Sequence, residues 1–147
     1  MIVRLANFDT DALGILEGTR DFVSRMGAFE FLPENIDEIV AKNVTADFIE
    51  TAVIEHEGNI VGALGMAYLP FIWNPKLTSA EELFFWTSKS SPNTAALQLL
   101  RFVGERIKTK GRSVVTFRRL MTSPASLDRV YRRMGLKPVE TNYMGIL

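Results

Sequence analysis

The chain has 147 residues and a mass of 16.5 kDa, and its 17 lysines and arginines balance its 17 aspartates and glutamates. This length is typical of one domain with its own hydrophobic core, and the zero net charge argues against bulk attraction to nucleic acid. The sequence has no cysteine and a single histidine, His56. Disulfides, thiol nucleophiles, zinc–thiolate sites and multi-histidine metal sites are therefore excluded.

No membrane segment or signal peptide is predicted. The first residues lack a charged segment followed by a long apolar run. The longest apolar stretch, residues 60–73, is interrupted by glycines and a proline, and it is shorter than the about 20 residues that a transmembrane helix needs. We therefore expect a single cytoplasmic domain, residues 1–147.

The first third of the chain predicts a short strand followed by two helices. Residues 2–6 form the strand, and apolar residues at helical spacing up to Met26 indicate the first helix. Pro33 can open the second helix because proline is tolerated in the first turn, and its apolar stripe continues to Val44.

Three antiparallel strands are predicted next. Residues 51–57 and 60–68 flank a tight-turn sequence around Gly58, and Gly62 and Gly65 in the second run mark either a bulge or close packing against a helix. Residues 68–77 are predicted to be an irregular connection containing aromatic residues and two prolines. The bulky run 83–87 that follows shows no alternation and predicts a strand buried on both faces.

The last third predicts a crossover between parallel strands. A polar loop, residues 88–94, leads into an amphipathic helix at 95–108 and a strand at 113–117. A further helix from Ser123 ends at Gly135, and residues 136–139 and 143–147 predict two final strands. The fold class is therefore α/β of the α+β kind, with a mixed, mostly antiparallel sheet of about seven strands flanked by four helices.

The polar loop before the third predicted helix is a candidate anion site. A helix N-terminus presents free N–H groups that bind phosphate oxygens. Serine, asparagine and threonine side chains and Lys89 add donors there. The alternative is that the loop only caps its helix, which is the commoner use of such residues.

Read as a whole, the chain resembles the GNAT superfamily of acyl-CoA-dependent N-acetyltransferases. The most specific segment is 130–140, in which Tyr131 and Gly135 match the family's carboxy-terminal Y-x-x-x-G-F pattern and Leu136 replaces the aromatic residue. Residues 82–86, with the loop and helix after them, are similar to the cofactor motif of the family. The resemblance implies a GNAT-type fold and acetyl-CoA as co-substrate, with no metal.

The pyrophosphate loop departs from the family pattern. That pattern reads Arg/Gln-x-x-Gly-x-Gly/Ala, and the matching positions here are Ser91, Thr94 and Ala96, of which only Ala96 fits. Glycine at position 94 would let the backbone approach a phosphate closely, and threonine narrows that approach. Imperfect loops of this kind occur in diverged family members, including ones encoded by bacteriophages.

The resemblance also implies residue roles. Tyr131 would protonate the departing CoA thiolate, and Glu82, with Glu81 second, would be the general base for the acceptor amine. The alternatives are that Tyr131 is only a core residue and that Glu82 and Glu81 are solvated residues at the start of a strand. Acetyl-CoA would lie along the backbone of the fourth strand and the loop after it, contacting Phe85, Trp86, Thr87, Ser88, Ser91, Asn93, Thr94, Ala95 and Ala96.

Three aromatic residues in the predicted connection, Tyr68, Phe71 and Trp73, are interpreted as an acceptor-binding surface or, alternatively, as a homodimer contact. His56 is more typical of a strand edge than of a catalytic group. The last third is locally basic and would attract the CoA 3′-phosphate or an acidic partner, or would simply be a solvated face. Its arginines are Arg112, Arg118, Arg119, Arg129, Arg132 and Arg133.

Two functions follow from these residues. The first is an enzyme that moves an acetyl group from acetyl-CoA to a primary amine by direct attack in a ternary complex, which needs no cysteine, metal or histidine. The alternative is a catalytically weak or inactive homologue that binds and modulates another protein. The departure at Ser91 and Thr94 and the aromatic segment favour the alternative. The acceptor itself is not specified by the sequence.

Overall fold

The computed structural model describes residues 1–26, 38, 41, 46–111, 113–119 and 123–140. Of the predicted second helix it describes Glu38 and Ala41, both helical, and the rest of that prediction and the predicted strand 143–147 lie outside these ranges. The elements are β1 (Ile2–Leu5), α1 (Phe8–Met26), β2 (Ile49–His56), β3 (Asn59–Phe71), β4 (Asn74–Thr87), α2 (Ala95–Thr109), β5 (Ser113–Thr116) and α3 (Ser126–Arg133).

The five strands form one mixed sheet in the order β1-β2-β3-β4-β5. Neighbours are antiparallel except β4 and β5, which are parallel. The predicted crossover is therefore confirmed. The count of about seven strands and four helices is not matched by the five strands and three helices of the described ranges. Residues 136–140 form no strand, because they are almost all exposed and Pro138 has no N–H to donate to a ladder.

The β2–β3 hairpin is confirmed. Its two turn residues, Glu57 and Gly58, have φ angles of 52° and 79°. Positive φ at both central positions defines the type I′ turn, whose twist matches that of the flanking strands. The turn residues thus fix the register in which His56 faces Asn59.

The predicted connection at residues 68–77 is wrong, because a second hairpin occupies it. β3 continues to Phe71 and β4 starts at Asn74. Pro70 is tolerated because the β2 ladder ends where Ile49 faces Ala67. The nitrogen of Pro70 therefore points to an unpaired edge, where no ladder hydrogen bond is lost.

Helices cover both faces of the sheet. α1 packs on one face, where Ile15, Val53, Ala63, Phe84 and Trp86 form a buried cluster. α2 and α3 pack on the other face. Its larger cluster includes Ala52, Ile54, Leu64, Met66, Ala80, Leu99, Leu100, Val103 and Tyr131. The alternation of Ala52, Val53 and Ile54 between the two clusters follows from the period-two geometry of a strand.

A β-bulge at Leu83 interrupts β4. Met66 faces Glu82 and Gly65 faces Phe84, so Leu83 has no partner on β3. The extra residue exchanges the faces of the residues that follow it, so that Phe84 lies in the α1 cluster instead of on the α2 face. Leu83 is 41% exposed, which corrects the predicted burial of the run 83–87 on both faces.

Candidate active site

The parallel pairing of β4 with β5 ends beside the bulge, and we call the space along the edge of β4 beyond this point the cleft. Their parallel pairing ends where Glu81 faces Thr116, whereas β4 continues to Thr87. Within the described ranges, no strand pairs with this edge of β4 beyond Glu81. The strand edge therefore presents unpaired backbone groups, which is the geometry that an extended ligand can add to.

The two predicted catalytic residues meet at the vertex of this cleft. The hydroxyl of Tyr131, on α3, lies 3.5 Å from Glu82 Oε2, on β4, and donates a 3.2 Å hydrogen bond to the carbonyl of Arg118. Glu82 is 6% exposed and Tyr131 is 8% exposed. The ring of Phe117 stacks on that of Tyr131 with centroids 5.3 Å apart, which fixes the ring plane of the tyrosine.

The environment shifts the proton affinity of both groups upward. Burial raises the pKa of Glu82 from 4.5 to about 7, although the Arg118 N–H, the Arg118 charge and the Tyr131 hydroxyl oppose this rise. Burial, and then the nearby Glu82 charge, raise the pKa of Tyr131 above its usual value of 10.0. At neutral pH, Glu82 is thus close to half ionised and Tyr131 holds its proton.

The end of α3 is built so that Tyr131 is fixed in place. Gly135 has φ +85°, its N–H donates to the carbonyl of Arg132, and the N–H of Leu136 donates to that of Tyr131. This is the Schellman arrangement, in which only glycine adopts the left-handed conformation without strain. Leu136 then packs on the core. The motif that carried the resemblance is therefore a helix terminus.

The loop after β4 leads directly into α2. The Ser91 hydroxyl and N–H both donate to the carbonyl of Ser88, and the hydroxyls of Ser88 and Ser90 lie 2.9 Å apart. Thr94 occupies the N-cap position without a side-chain hydrogen bond to the helix, and the first turn contains no acidic residue. The Ala95 N–H donates to the carbonyl of Pro92, so in this first turn the N–H groups of Ala96 and Leu97 are the ones left for an anion.

The other predicted cofactor residues also lie at this end of the sheet. Phe85 faces the α2 side, whereas Trp86 is buried under α1 beside Gly18. A Cβ at position 18 would overlap the six-membered ring of Trp86, so only glycine allows this approach. The remaining predicted contacts are Thr87 at the end of β4, Asn93 in the loop, and Ala95 and Ala96 in the first turn of α2.

The predicted acceptor-binding aromatics do not lie in this cleft. Trp73 is at the tip of the β3–β4 hairpin, 83% exposed and nine residues before Glu82 in the chain. Phe71 is at the same tip, facing Asn74. Tyr68 is half-buried beneath the ammonium group of Lys110, which lies 5.0 Å from its ring centroid.

His56 and most of the arginines lie elsewhere. His56 is at the β2–β3 turn, about 20 Å along the sheet from the position of Met66. Arg132 pairs with Asp128 one turn earlier on α3. Arg112 lies outside the described residues, and Arg119, Arg129 and Arg133 are exposed.

Sequence reasoning missed two features of the site. Leu83 was read as a core residue, and Arg118 was read as one member of a basic face. The signal for the bulge was present in Gly65, which lies next to the register shift and packs under the Phe84 ring. No signal marked Arg118, because its partners are 36 residues away in the chain.

No family model matches the sequence, and no curated protein matches it. Solved structures match over the full length. A ribosomal-protein-alanine N-acetyltransferase from Brucella melitensis has a TM-score of 0.70 and 13% identity, with 100% of both chains covered. A predicted acetyltransferase with acetyl-CoA from Clostridium acetobutylicum has a TM-score of 0.71 and 12% identity, covering 99% of this chain and 95% of that one. A transcriptional regulator from Bacillus halodurans has a TM-score of 0.77 and 18% identity, covering 99% of each chain.

This chain has the GNAT fold. The likeness spans the whole GNAT architecture at low identity, so it establishes the fold and leaves the residue roles as predictions. Among the described residues of this GNAT fold, no cluster of His, Asp or Glu is suited to hold a metal ion. No helix within those ranges is long and apolar enough to cross a membrane.

Proposed function

We propose that this protein is an N-acetyltransferase that transfers the acetyl group of acetyl-CoA to a primary amine. The observation that carries the proposal is the buried pair of Glu82 and Tyr131 at the vertex of the cleft between β4 and β5. One group has a pKa near neutrality and the other holds its proton. Such a pair suits a reaction in which one proton is removed and another is delivered.

Three features along the cleft support acetyl-CoA as its ligand. The unpaired edge of β4 can hydrogen-bond an amide-containing arm as an additional strand does. In the first turn of α2, the N–H groups of Ala96 and Leu97 can bind a pyrophosphate, because Thr94 makes no side-chain hydrogen bond to the helix. Lys89 adds positive charge in the same loop. Because these contacts are mostly to backbone, they tolerate serine and threonine at positions 91 and 94.

The residues of this chain account for the proton balance. Bound acetyl-CoA supplies an activated thioester. When the amine nitrogen attacks the thioester carbonyl carbon, a C–N bond forms, the C–S bond breaks, and nitrogen loses a proton to Glu82, directly or through one water. The departing sulfur takes a proton from Tyr131. The contact between Tyr131 and Glu82 then provides a route by which the tyrosine regains a proton.

The structural neighbours support acetyl transfer in general and leave the acceptor open. One is a ribosomal-protein-alanine N-acetyltransferase and another is described with acetyl-CoA. An aminoglycoside acetyltransferase is a further neighbour, at 14% identity and a TM-score of 0.68. Because these acceptors differ and identities are low, we propose the class of acceptor, a primary amine, and not its identity.

Calorimetric titration with acetyl-CoA tests the proposal first. We expect saturable binding with a Kd in the micromolar range, and no binding at millimolar acetyl-CoA would refute the enzyme. Turnover is then followed by the release of CoA thiol to a colorimetric thiol reagent, using spermidine, kanamycin and short peptides as acceptors. The protein contains no cysteine, so the reagent detects CoA without a background from the enzyme.

A further inference from the structure

We propose that Arg118 is a positioning residue that holds Glu82 and Tyr131 in register across the cleft, an inference that rests on the proposed function. Arg118 follows β5 on the side of the cleft opposite β4. Its side chain and its backbone both contact the acid–base pair or the strand that carries it.

The guanidinium group fastens the segment after β5 to β4 at the vertex. Nη1 donates to the backbone carbonyl of Glu82, the last residue before the bulge. Nη2 lies 3.8 Å from the carboxylate of Glu81, the last β4 residue paired with β5. The two contacts straddle the point where the strands separate, so the side chain holds the cleft at a fixed opening.

The backbone of Arg118 lies between the two reacting groups. Its N–H donates to Glu82 Oε2 at 3.4 Å, and its carbonyl accepts from the Tyr131 hydroxyl at 3.2 Å. Any shift of the Arg118 backbone therefore changes the positions of the Glu82 carboxylate and of the Tyr131 hydroxyl together. The guanidinium anchor and the peptide belong to one residue, so loss of the anchor releases both contacts.

Arginine is suited to this task and lysine is not an equivalent. The guanidinium fork presents donors in two fixed directions, so Nη1 donates to the Glu82 carbonyl while Nη2 forms an ion pair with the Glu81 carboxylate. A lysine keeps the positive charge but is a single point of contact. The Arg118→Lys variant thus separates the effect of charge from the effect of the two-point anchor.

The charge of Arg118 also influences Glu82. The groups that face the Glu82 carboxylate are the Arg118 N–H and guanidinium from the segment after β5 and the Tyr131 hydroxyl from α3, and Glu81 is adjacent on β4. The guanidinium favours the ionised carboxylate, so its removal makes Glu82 harder to ionise. In Arg118→Ala, we expect the Glu82 titration midpoint to rise by about half a pH unit.

The experiment compares Arg118→Ala, Arg118→Lys and the exposed neighbour variant Arg119→Ala as a matched control. The pH profile of kcat/KM is measured for each, with kcat and the KM for acetyl-CoA taken separately. We expect Arg118→Ala to lose about tenfold in kcat with KM changed less than about twofold, and its acid limb to move to higher pH. In Arg118→Lys, we expect the acid limb of the pH profile to return to its position in the parent protein. We expect most of the loss in kcat to remain. A profile of Arg118→Ala equal to that of Arg119→Ala, or full recovery of kcat in Arg118→Lys, would overturn the proposal.

A second readout needs no turnover. Carbon-13 NMR of the glutamate carboxyl groups, assigned with Glu82→Gln, gives the Glu82 titration midpoint directly. An upward shift in Arg118→Ala but not in Arg119→Ala supports the contact, and an unchanged midpoint contradicts it. A protein that binds no acetyl-CoA yet shows the shift would refute the proposed function while leaving the anchor intact. If Arg118→Ala fails to fold, Arg118→Gln, which keeps one donor, replaces it in both measurements.

Discussion

Replacing Glu82 by glutamine should change how the stability of the protein depends on pH. Burial raises the pKa of Glu82 in the folded state, so the native protein binds this proton more tightly than the unfolded chain does. As pH rises through the window between the two pKa values, the unfolded state ionises first and becomes favoured. Glutamine resembles the protonated carboxyl group in shape but cannot ionise. The stability of the variant is therefore not lowered as pH rises through this window.

The size of the effect follows from the two pKa values. A rise from 4.5 to about 7, at about 1.36 kcal/mol per pH unit, corresponds to about 3 kcal/mol when the group is fully ionised. Below pH 4.5 both states are protonated and the contribution vanishes. The free energy of unfolding of Glu82→Gln, relative to that of the parent protein, should therefore increase from pH 5 upward. This difference should become constant above pH 7.

Urea denaturation at pH 5, 6, 7 and 8 measures this difference. Trp86 is buried and reports unfolding by its fluorescence. Glu105→Gln is the control, because that side chain is 73% exposed on α2. The decisive quantity is how the difference in free energy of unfolding between variant and parent changes with pH. Any effect of the substitution that does not depend on pH cancels from this change. A difference that stays constant from pH 5 to 8 would show that Glu82 is not a buried carboxyl group with a raised pKa.

Three further tests, one of them on a pair of glycines, concern the rest of the site and its packing. Thr94→Asp places a negative charge at the uncapped start of α2, so calorimetry should show acetyl-CoA binding at least about tenfold weaker. Thermal stability should be unchanged or higher, because aspartate is a good N-cap residue. Unchanged binding would show that this helix end is not part of the cofactor site. Gly18→Ala places a methyl group in contact with the Trp86 ring and should lower the free energy of unfolding by about 2 kcal/mol. Gly104→Ala, whose Cβ meets open space in α2, should raise the free energy of unfolding by about 0.5–1 kcal/mol. Equal effects of the two substitutions in urea titrations would contradict the packing of Gly18 against Trp86. Tyr131→Phe should lower kcat by about 100-fold without changing the Kd of acetyl-CoA, and full turnover would exclude the tyrosine as the acid.

The sequence was a reliable guide to the turn, the helix end and the order of the elements around them. Gly58 and Gly135 predicted a turn and a helix end, and both have the positive φ that those positions require. The crossover from β4 through α2 to β5 predicted parallel neighbours, which the register confirms. The GNAT resemblance, drawn from element order and from the segment around Tyr131, agrees with whole-chain likeness to solved acetyltransferases.

Local rules failed where pairing partners decided the outcome. The two prolines near the β3–β4 hairpin looked like signs of an irregular connection, but Pro70 lies beyond the end of β2 and costs no ladder bond. Leu83 looked like a core residue, but the bulge left it unpaired and exposed. Neither result could be read from neighbours in the chain, because the first depends on where β2 stops and the second on the register between β3 and β4.

The sequence by itself determined the order of the elements, the turn and cap residues and the absence of thiol chemistry, because each depends on residue type and spacing. Only the tertiary structure brought Tyr131 to Glu82, which is 49 residues away, and only burial between the two strands and α3 raised the pKa of that carboxyl group to about 7. Desolvation depends on what surrounds a group from every side. The raised proton affinity of Glu82 is thus a property of the packing, although both residues were visible in the chain as candidates.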